Sequence, residues 1–284
     1  MKGTLIPIGG NEDKGLGENE MYTQEFIEEG ILSHVLREAG GKNAKVVVIP
    51  TASSIPVEVG ENYIDAFNKL GCKEVHVLDI RKREQSSLPN SIKLVKEANC
   101  IMFSGGDQSK ITNKIGGTIL HEIMMDRYNN EEGFVIAGTS AGAMAMSEEM
   151  IAGGSSTEAF VKGAVLMYHG LGLLPRLIID THFIQRGRFG RLAEGVAKYP
   201  KLLGLGLAED TGVIIKEGKY GTVIGSGMII LFDAQKLTHN NENLLTEGTP
   251  MSMSNLVVHV LSNGDKFNID TREITVLPLE APFV

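Results

Sequence analysis

Gly138-Thr139-Ser140-Ala141-Gly142 sets a serine between small residues where the apolar run Phe134 to Ala137 meets AGAMAMSEEM, a stretch with helical spacing. A sharp strand-to-helix turn of this kind lifts its central side chain out of the sheet in a strained conformation, and small flanking residues keep β-carbons out of the way. The first amides of the following helix then point to the same spot, where a negative oxygen would develop in acyl transfer. The plain alternative is a tight turn whose serine caps a helix. A serine hydroxyl is a weak nucleophile at its own pKa. The catalytic reading therefore requires a histidine to take its proton and a carboxylate to orient that histidine.

Of the seven histidines, His34 and His121 fall in helix-like stretches, His76 on a strand with polar neighbours and His239 in an asparagine-rich turn. All are ordinary places for a solvated or satisfied ring. His182 differs. It follows the apolar run Leu177 to Asp180 and precedes Phe183-Ile184-Gln185-Arg186-Gly187-Arg188, so a strand end, a histidine and a cationic cluster coincide. Two carboxylates compete to be its partner. Glu158 lies in a polar loop after the serine, in the order serine, acid, histidine. Glu209 follows Gly204-Leu205-Gly206-Leu207, a glycine-rich strand end able to deliver a carboxylate to a cleft.

Arg186, Arg188 and Arg191 cannot share one helical stripe, but a loop running into a helix could aim them at one point. Guanidinium forks bind carboxylates in bidentate fashion, so the functional reading is capture of an acidic group and the plain one a salt-bridged surface. Asp180, on the other side of His182, could hold a cationic group or pin the arginines. Gly105-Gly106-Asp107-Gln108 follows the apolar run Cys100 to Phe103 and opens a helix, which makes Gly106 a second oxyanion donor beside Ala141 and Asp107 a helix cap. The glycine pairs have neither P-loop nor dinucleotide-fold spacing, and no HExxH or EF-hand pattern occurs, so neither a metal nor a nucleotide cofactor is expected.

These residues need a scaffold. Short β-branched runs at Thr4 to Ile8, Lys45 to Ile49, Glu74 to Leu78, Cys100 to Phe103 and Phe134 to Ala137 read as buried parallel strands. Helical spacing appears between and after them, over Met21 to Glu38, Val59 to Leu70, Leu88 to Glu97, Ser109 to Met125, Ser140 to Met150 and Arg186 to Lys198. Strand-helix alternation predicts a doubly wound α/β sheet with ligands beyond the carboxyl ends of its strands. The glycine-rich stretch from Gly204 to Ala234 reads as strands and hairpins extending that sheet.

With 284 residues, 42% hydrophobic and 22% charged, and with no Pro- or Ser-rich linker, the chain is expected to form one globular domain over residues 1–284. A net charge of −8 opposes a duplex nucleic-acid partner. Cys72 and Cys100 suggest neither a disulfide framework nor a thiolate metal site. The opening MKGTLIPIGGNEDKG lacks a long apolar core, so neither a signal peptide nor a membrane anchor is expected and a cytoplasmic location is.

IGGNEDK at Ile8, IPTASS at Ile49, FSGGDQSKIT at Phe103, GTSAGA at Gly138, IIDTHFIQRGRFGRL at Ile178 and GLAEDTGVII at Gly206 together resemble the cyanophycinase family of serine peptidases, S51, which also includes aspartyl dipeptidase. The likeness runs in order along almost the whole chain. It implies a class I glutamine amidotransferase-like three-layer α/β sandwich with a mostly parallel sheet, and a serine on the nucleophile elbow. It further implies Ser140 as nucleophile, His182 as base, Glu158 at the spacing of the acid with Glu209 as the alternative, and a substrate pocket from Gln108, Asp180, Thr181, Arg186, Arg188 and Arg191. The family hydrolyses cyanophycin, a polyaspartate carrying arginine on each side-chain carboxyl, to β-aspartyl-arginine, and the resemblance implies a homodimer. Thr181 departs from the glutamine usual there. That departure keeps β-aspartyl peptides and aspartyl or isoaspartyl dipeptides in view as substrates. A catalytically silent binding module is the remaining alternative.

Overall fold

The structure, a computed structural model, describes residues 1–15, 17, 24–154 and 160–278. Four strands buried on both faces, β1 (Thr4–Ile8), β2 (Val46–Ile49), β4 (Cys100–Phe103) and β5 (Val135–Thr139), and a half-buried edge strand, β3 (Val75–Val77), run parallel in the order β1-β5-β4-β2-β3. Because side chains alternate across a strand, these runs feed two cores. Leu5, Val47, Ile49, Ile101, Phe103 and Ile136 go to one. Ile6, Ile8, Val46, Val48, Met102, Val135 and Ala137 go to the other.

Helices cover both faces. α1 (Ile31–Glu38) and α2 (Pro56–Lys69) bring Ile31, Leu32, Val35, Tyr63, Ala66 and Phe67 to the second core. α3 (Pro89–Glu97), α4 (Gln108–Ile115) and α5 (Ile119–Asn130) bring Val95, Ile111, Ile115, Leu120, Met124 and Tyr128 to the first. Each such fully buried large side chain contributes about 1.5–3 kcal/mol of transfer free energy.

After β5 come a one-turn helix α6 (Ala141–Met144), the hairpin β6 (Glu149–Gly154) and β7 (Val165–His169), then β8 (Leu177–Asp180), α7 (Phe189–Lys198) and β9 (Leu203–Leu207). Next follow β10 (Thr211–Lys216), β11 (Tyr220–Gly225), β12 (Met228–Asp233), the two-residue pair β13 (His239–Asn240) and β14 (Met253–Ser254), β15 (Val257–Ser262), β16 (Lys266–Asn268) and β17 (Ile274–Thr275). Strands β10, β11, β16 and β17 extend the first sheet beyond β1 in antiparallel fashion, making nine strands. The glycine-rich stretch is thus divided, since β9 and β12 join β8 and β15 in a second, four-stranded sheet. One face of that sheet, through Leu177, Ile179, Leu205, Leu207 and Leu231, joins the core of the first. Its other face is closed by Leu192 and Val196 of α7 with Phe183 and Phe232.

Four expected helices end differently, each for a local reason. α1 begins only at Ile31, after a turn at Gly30 whose missing β-carbon lets it approach the Phe26 carbonyl, while residues 21–23 lie outside those described. The span 109–125 is two helices broken at Gly116-Gly117, Gly117 being at φ 65°. The span 140–150 stops after Met144 because Gly170, Leu171 and Leu174 take the carbonyls of Glu148, Ala145 and Met146. The last begins at Phe189, after Gly187 turns the chain at φ 59°.

Candidate active site

The carboxyl ends of β1, β4, β5, β8 and β9 converge on one open cleft of about 760 Å³. Ser140 stands at its base between β5 and α6, at φ 51° and ψ −111°. Non-glycine residues hold such a conformation only where the surroundings impose it. Here the Ser140 amide donates to the Ile8 carbonyl at 2.9 Å. A β-carbon at Gly138 would lie 2.7 Å from the Gly142 carbonyl carbon, and one at Gly142 would lie 2.6 Å from the Phe103 carbonyl oxygen. The two glycines of the motif are therefore what allows the turn to close against β4.

His182 follows β8 and is itself at φ 47°, its amide bonded to the Gly9 carbonyl at 2.8 Å. A β-carbon on Gly10 would lie 2.4 Å from His182 Cε1, so the glycine after β1 makes room for the ring. Nε2 lies 2.9 Å from Ser140 Oγ and Nδ1 lies 2.6 Å from Glu209 Oε1. A carboxylate only accepts, so Nδ1 carries the ring proton and Nε2 is free to accept from the serine hydroxyl. Asn11 Nδ2 donates to the other oxygen of Glu209 at 3.3 Å, and the Glu209 amide donates to Gln185 Oε1 at 3.3 Å. Glu158 lies outside the described residues. Among the described residues, Glu209 is the carboxylate in contact with the His182 ring.

Burial pushes the His182 pKa down, and Arg186 and Arg188 push the same way. The Glu209 bond and charge oppose them, but the ring stays below the ordinary histidine range. A neutral imidazole is the form able to take a proton, so a lowered pKa carries base function to lower pH. Arg186→Gln removes one of the depressing charges. The acidic limb of the kcat/KM profile is then expected to move to higher pH, and an unmoved or lowered limb in a pH-rate titration would refute the electrostatic account.

Gly105 and Gly106 open the loop after β4. Gly106 is at φ 136°, where a β-carbon would fall 2.2 Å from the Ala52 carbonyl oxygen, so only glycine fits. Among the described residues neither the Gly106 nor the Ala141 amide has a backbone acceptor. Asp107 caps α4, accepting from the Ser109 amide at 2.9 Å as its position in the sequence implied.

The other expected pocket residues divide. Arg186 is exposed and lines the cleft. Asp180 is wholly buried and accepts from Arg191 Nε at 2.8 Å and Arg188 Nη1 at 3.2 Å, with Arg191 Nη2 closing a bidentate pair. Arg188 also donates to the Thr181 carbonyl at 2.7 Å. These groups lock the corner between β8 and α7 behind His182, and none lines the cleft. Arginine forks in this position satisfy a buried carboxylate that would otherwise be costly, which the spacing in the sequence could not separate from ligand capture. Thr181 is also buried, its hydroxyl on Met144 Sδ, and it does not line the cleft. Gln108 directs its amide nitrogen to the Ile151 and Ala152 carbonyls at 2.8 and 3.0 Å, tying α4 to β6.

A second cluster carried no assigned role in the sequence. Glu12 is 2% exposed and accepts from Tyr63 Oη and Thr139 Oγ1, both at 2.5 Å, and from Lys14 Nζ at 2.9 Å. Burial alone would push its carboxyl up, but the Lys14 ammonium and these hydrogen bonds hold it below the ordinary carboxylate range. Burial and Glu12 raise the Tyr63 phenol well above its usual value, so Tyr63 stays a donor. The available signal was three charged residues, Glu12, Asp13 and Lys14, placed directly after a buried strand and a glycine pair.

The sequence profile of Peptidase family S51 matches residues 19–223. A cyanophycinase of Trichormus variabilis is 37% identical over 277 residues, covering 98% of this chain and 88% of that protein. A cyanophycinase of Geminocystis herdmanii is 34% identical over 273 residues, covering 96% of each. Among solved structures, a peptidase from an acI-B1 Actinobacterium superposes with a TM-score of 0.58 at 21% identity, over 90% of this chain and 97% of that one. A putative peptidase E from Listeria monocytogenes gives 0.52 at 14% identity, over 78% and 98%. Those two likenesses concern the fold.

Proposed function

The chain belongs to Peptidase family S51 and is a serine-type peptidase, and we propose that it cleaves the aspartyl backbone of cyanophycin to β-aspartyl-arginine through Ser140, His182 and Glu209. The observation that carries the mechanism is the continuous line from Ser140 Oγ through the His182 ring to Glu209. Ser140 Oγ attacks the aspartyl carbonyl carbon while Nε2 takes its proton. The Gly106 and Ala141 amides hold the resulting oxyanion. The imidazolium, steadied by Glu209, gives the proton to the departing amine as the C–N bond breaks. Water then attacks the acyl-enzyme with His182 again as base, releasing the acid and the free serine.

Arg186 would receive a substrate carboxylate. A silent module has no use for an aligned serine, histidine and carboxylate, and the strain at Ser140 and His182 fits catalysis better. The reading also includes a class I glutamine amidotransferase-like sandwich formed as one domain, a cytoplasmic location and a homodimer. Light scattering of the purified protein tests the last of these. Among the described residues no helix is long and apolar enough to cross a membrane.

Incubation with cyanophycin and mass analysis is expected to show β-aspartyl-arginine, unchanged in the presence of a chelator. Absence of that product, with rapid cleavage of Asp-X or β-Asp-X dipeptides instead, would turn the reading to a dipeptidase.

A further inference from the structure

The acidic and basic residues lining the cleft are Glu12, Lys14, His182, Arg186 and Glu209. With Arg188 and Arg191 engaged by Asp180, the cations that face the cleft are Lys14 and Arg186. An ammonium has three donors. Lys14 uses two on Glu12, one on Oε1 at 2.9 Å and one on the backbone carbonyl at 3.3 Å, and the third has no partner among the described residues. Its Nζ also lies 5.2 Å from the centre of the Tyr63 ring, a cation–π contact that holds the side chain in place.

A buried carboxylate is costly and needs a reason. Both oxygens of Glu12 are occupied, Oε1 by Tyr63 and Lys14 and Oε2 by Thr139, so its charge is spent on these partners. Thr139 is the residue before the nucleophile. Through it, Glu12 ties the position of the Lys14 ammonium to that of Ser140, removing the rotamer freedom that would otherwise weaken a lysine contact. We propose that Lys14, positioned by Glu12, recognises a free carboxylate of the substrate and fixes its distance from Ser140. The inference rests on the peptidase reading above. In a chain of β-aspartyl-arginine units that group is either the terminal aspartyl carboxylate or the carboxylate of an arginine side group.

The test compares a three-unit peptide having both carboxylates with one ending in a carboxamide and one whose last arginine is replaced by agmatine. One hydrogen bond to a charged group is worth about 1.5–3 kcal/mol, so the native protein is expected to prefer the full acid by about 10- to 100-fold in kcat/KM over whichever analogue lacks the recognised group. Lys14→Met is expected to bring that preference close to one, mostly through KM, and Lys14→Arg to restore part of it. Loss confined to the carboxamide assigns the terminal group, and loss confined to the agmatine analogue assigns the side group. A preference that Lys14→Met leaves intact overturns the proposal.

If no peptide is turned over, the function fails but the site can still be read. Protection of Ser140 from a fluorophosphonate by β-aspartyl-arginine is then compared with protection by its amides. Equal protection by acid and amides in the native protein overturns the proposal, and this readout serves equally should Lys14→Met not fold.

Discussion

Ser140→Ala is expected to lower cyanophycin hydrolysis by about 10⁶-fold, the loss seen when the nucleophile of a coupled triad is removed. On the proposed mechanism the effect is so large because His182 and Glu209 act only through the hydroxyl, while the Gly106 and Ala141 amides would stabilise an oxyanion that no longer forms efficiently. Stability should hardly change. Alanine keeps the β-carbon, so the strain at φ 51° stays, and the substitution removes the 2.9 Å hydrogen bond to Nε2, worth about 1 kcal/mol. A melting temperature within about 4 °C of the native one, together with abolished turnover and abolished fluorophosphonate labelling, is the expected outcome. Turnover within tenfold of native would mean that another group attacks.

How far the sequence anticipates the fold depends on what each residue's neighbours in space are asked to do. The inner parallel strands are legible because both faces are buried, so runs such as Val46 to Ile49 are apolar without alternation. Where local pattern and tertiary demand diverge, the pattern misleads. AGAMAMSEEM has helical spacing, yet the segment at Gly170 to Leu174 takes its carbonyls and the chain enters β6. Nothing local records that competition. The same holds for β9 and β12, whose glycines and aliphatics suit either sheet. Gly204 and Gly206 lie in β9 under α7 and Phe183, where a β-carbon on Gly206 would come within 2.6 Å of the ring.

The site divides along the same line. Ser140 and His182 stand out because strand ends, small residues and chemistry coincide at short range. Glu209 follows β9 and Ala208 and is brought beside the histidine by pairing of β8 with β9 and by the bond from the Asp210 amide to the Gly10 carbonyl. That relation is tertiary. Asp180 and its arginines are harder to read, since an ion pair and a ligand pocket use the same residue types, and in the structure the three are engaged with one another. Glu12 was hidden because an acidic residue after a strand is ordinary until Tyr63, 51 positions away, is found bonded to it.

Glu209→Gln is expected to cost about 10⁴-fold in kcat, near the value for triads whose acid is converted to its amide. The shape is kept, but the amide no longer carries the charge that stabilises the imidazolium, and its NH₂ can donate to Nδ1, which turns the ring so that Nε2 bears the proton and cannot accept one from Ser140. The pH dependence distinguishes this from mere distortion. Glu209 raises the His182 pKa through its hydrogen bond and its charge, so its removal lets burial and the two arginines lower it further. The acidic limb of the residual activity should therefore move to lower pH, opposite in sign to the shift expected for Arg186→Gln. Glu158→Gln, measured in parallel, should stay within a few-fold of native on the same substrate. A collapse of activity in Glu158→Gln alongside near-native Glu209→Gln would reverse the assignment, and an acidic limb that rises in Glu209→Gln would show that the 2.6 Å contact does not govern the base.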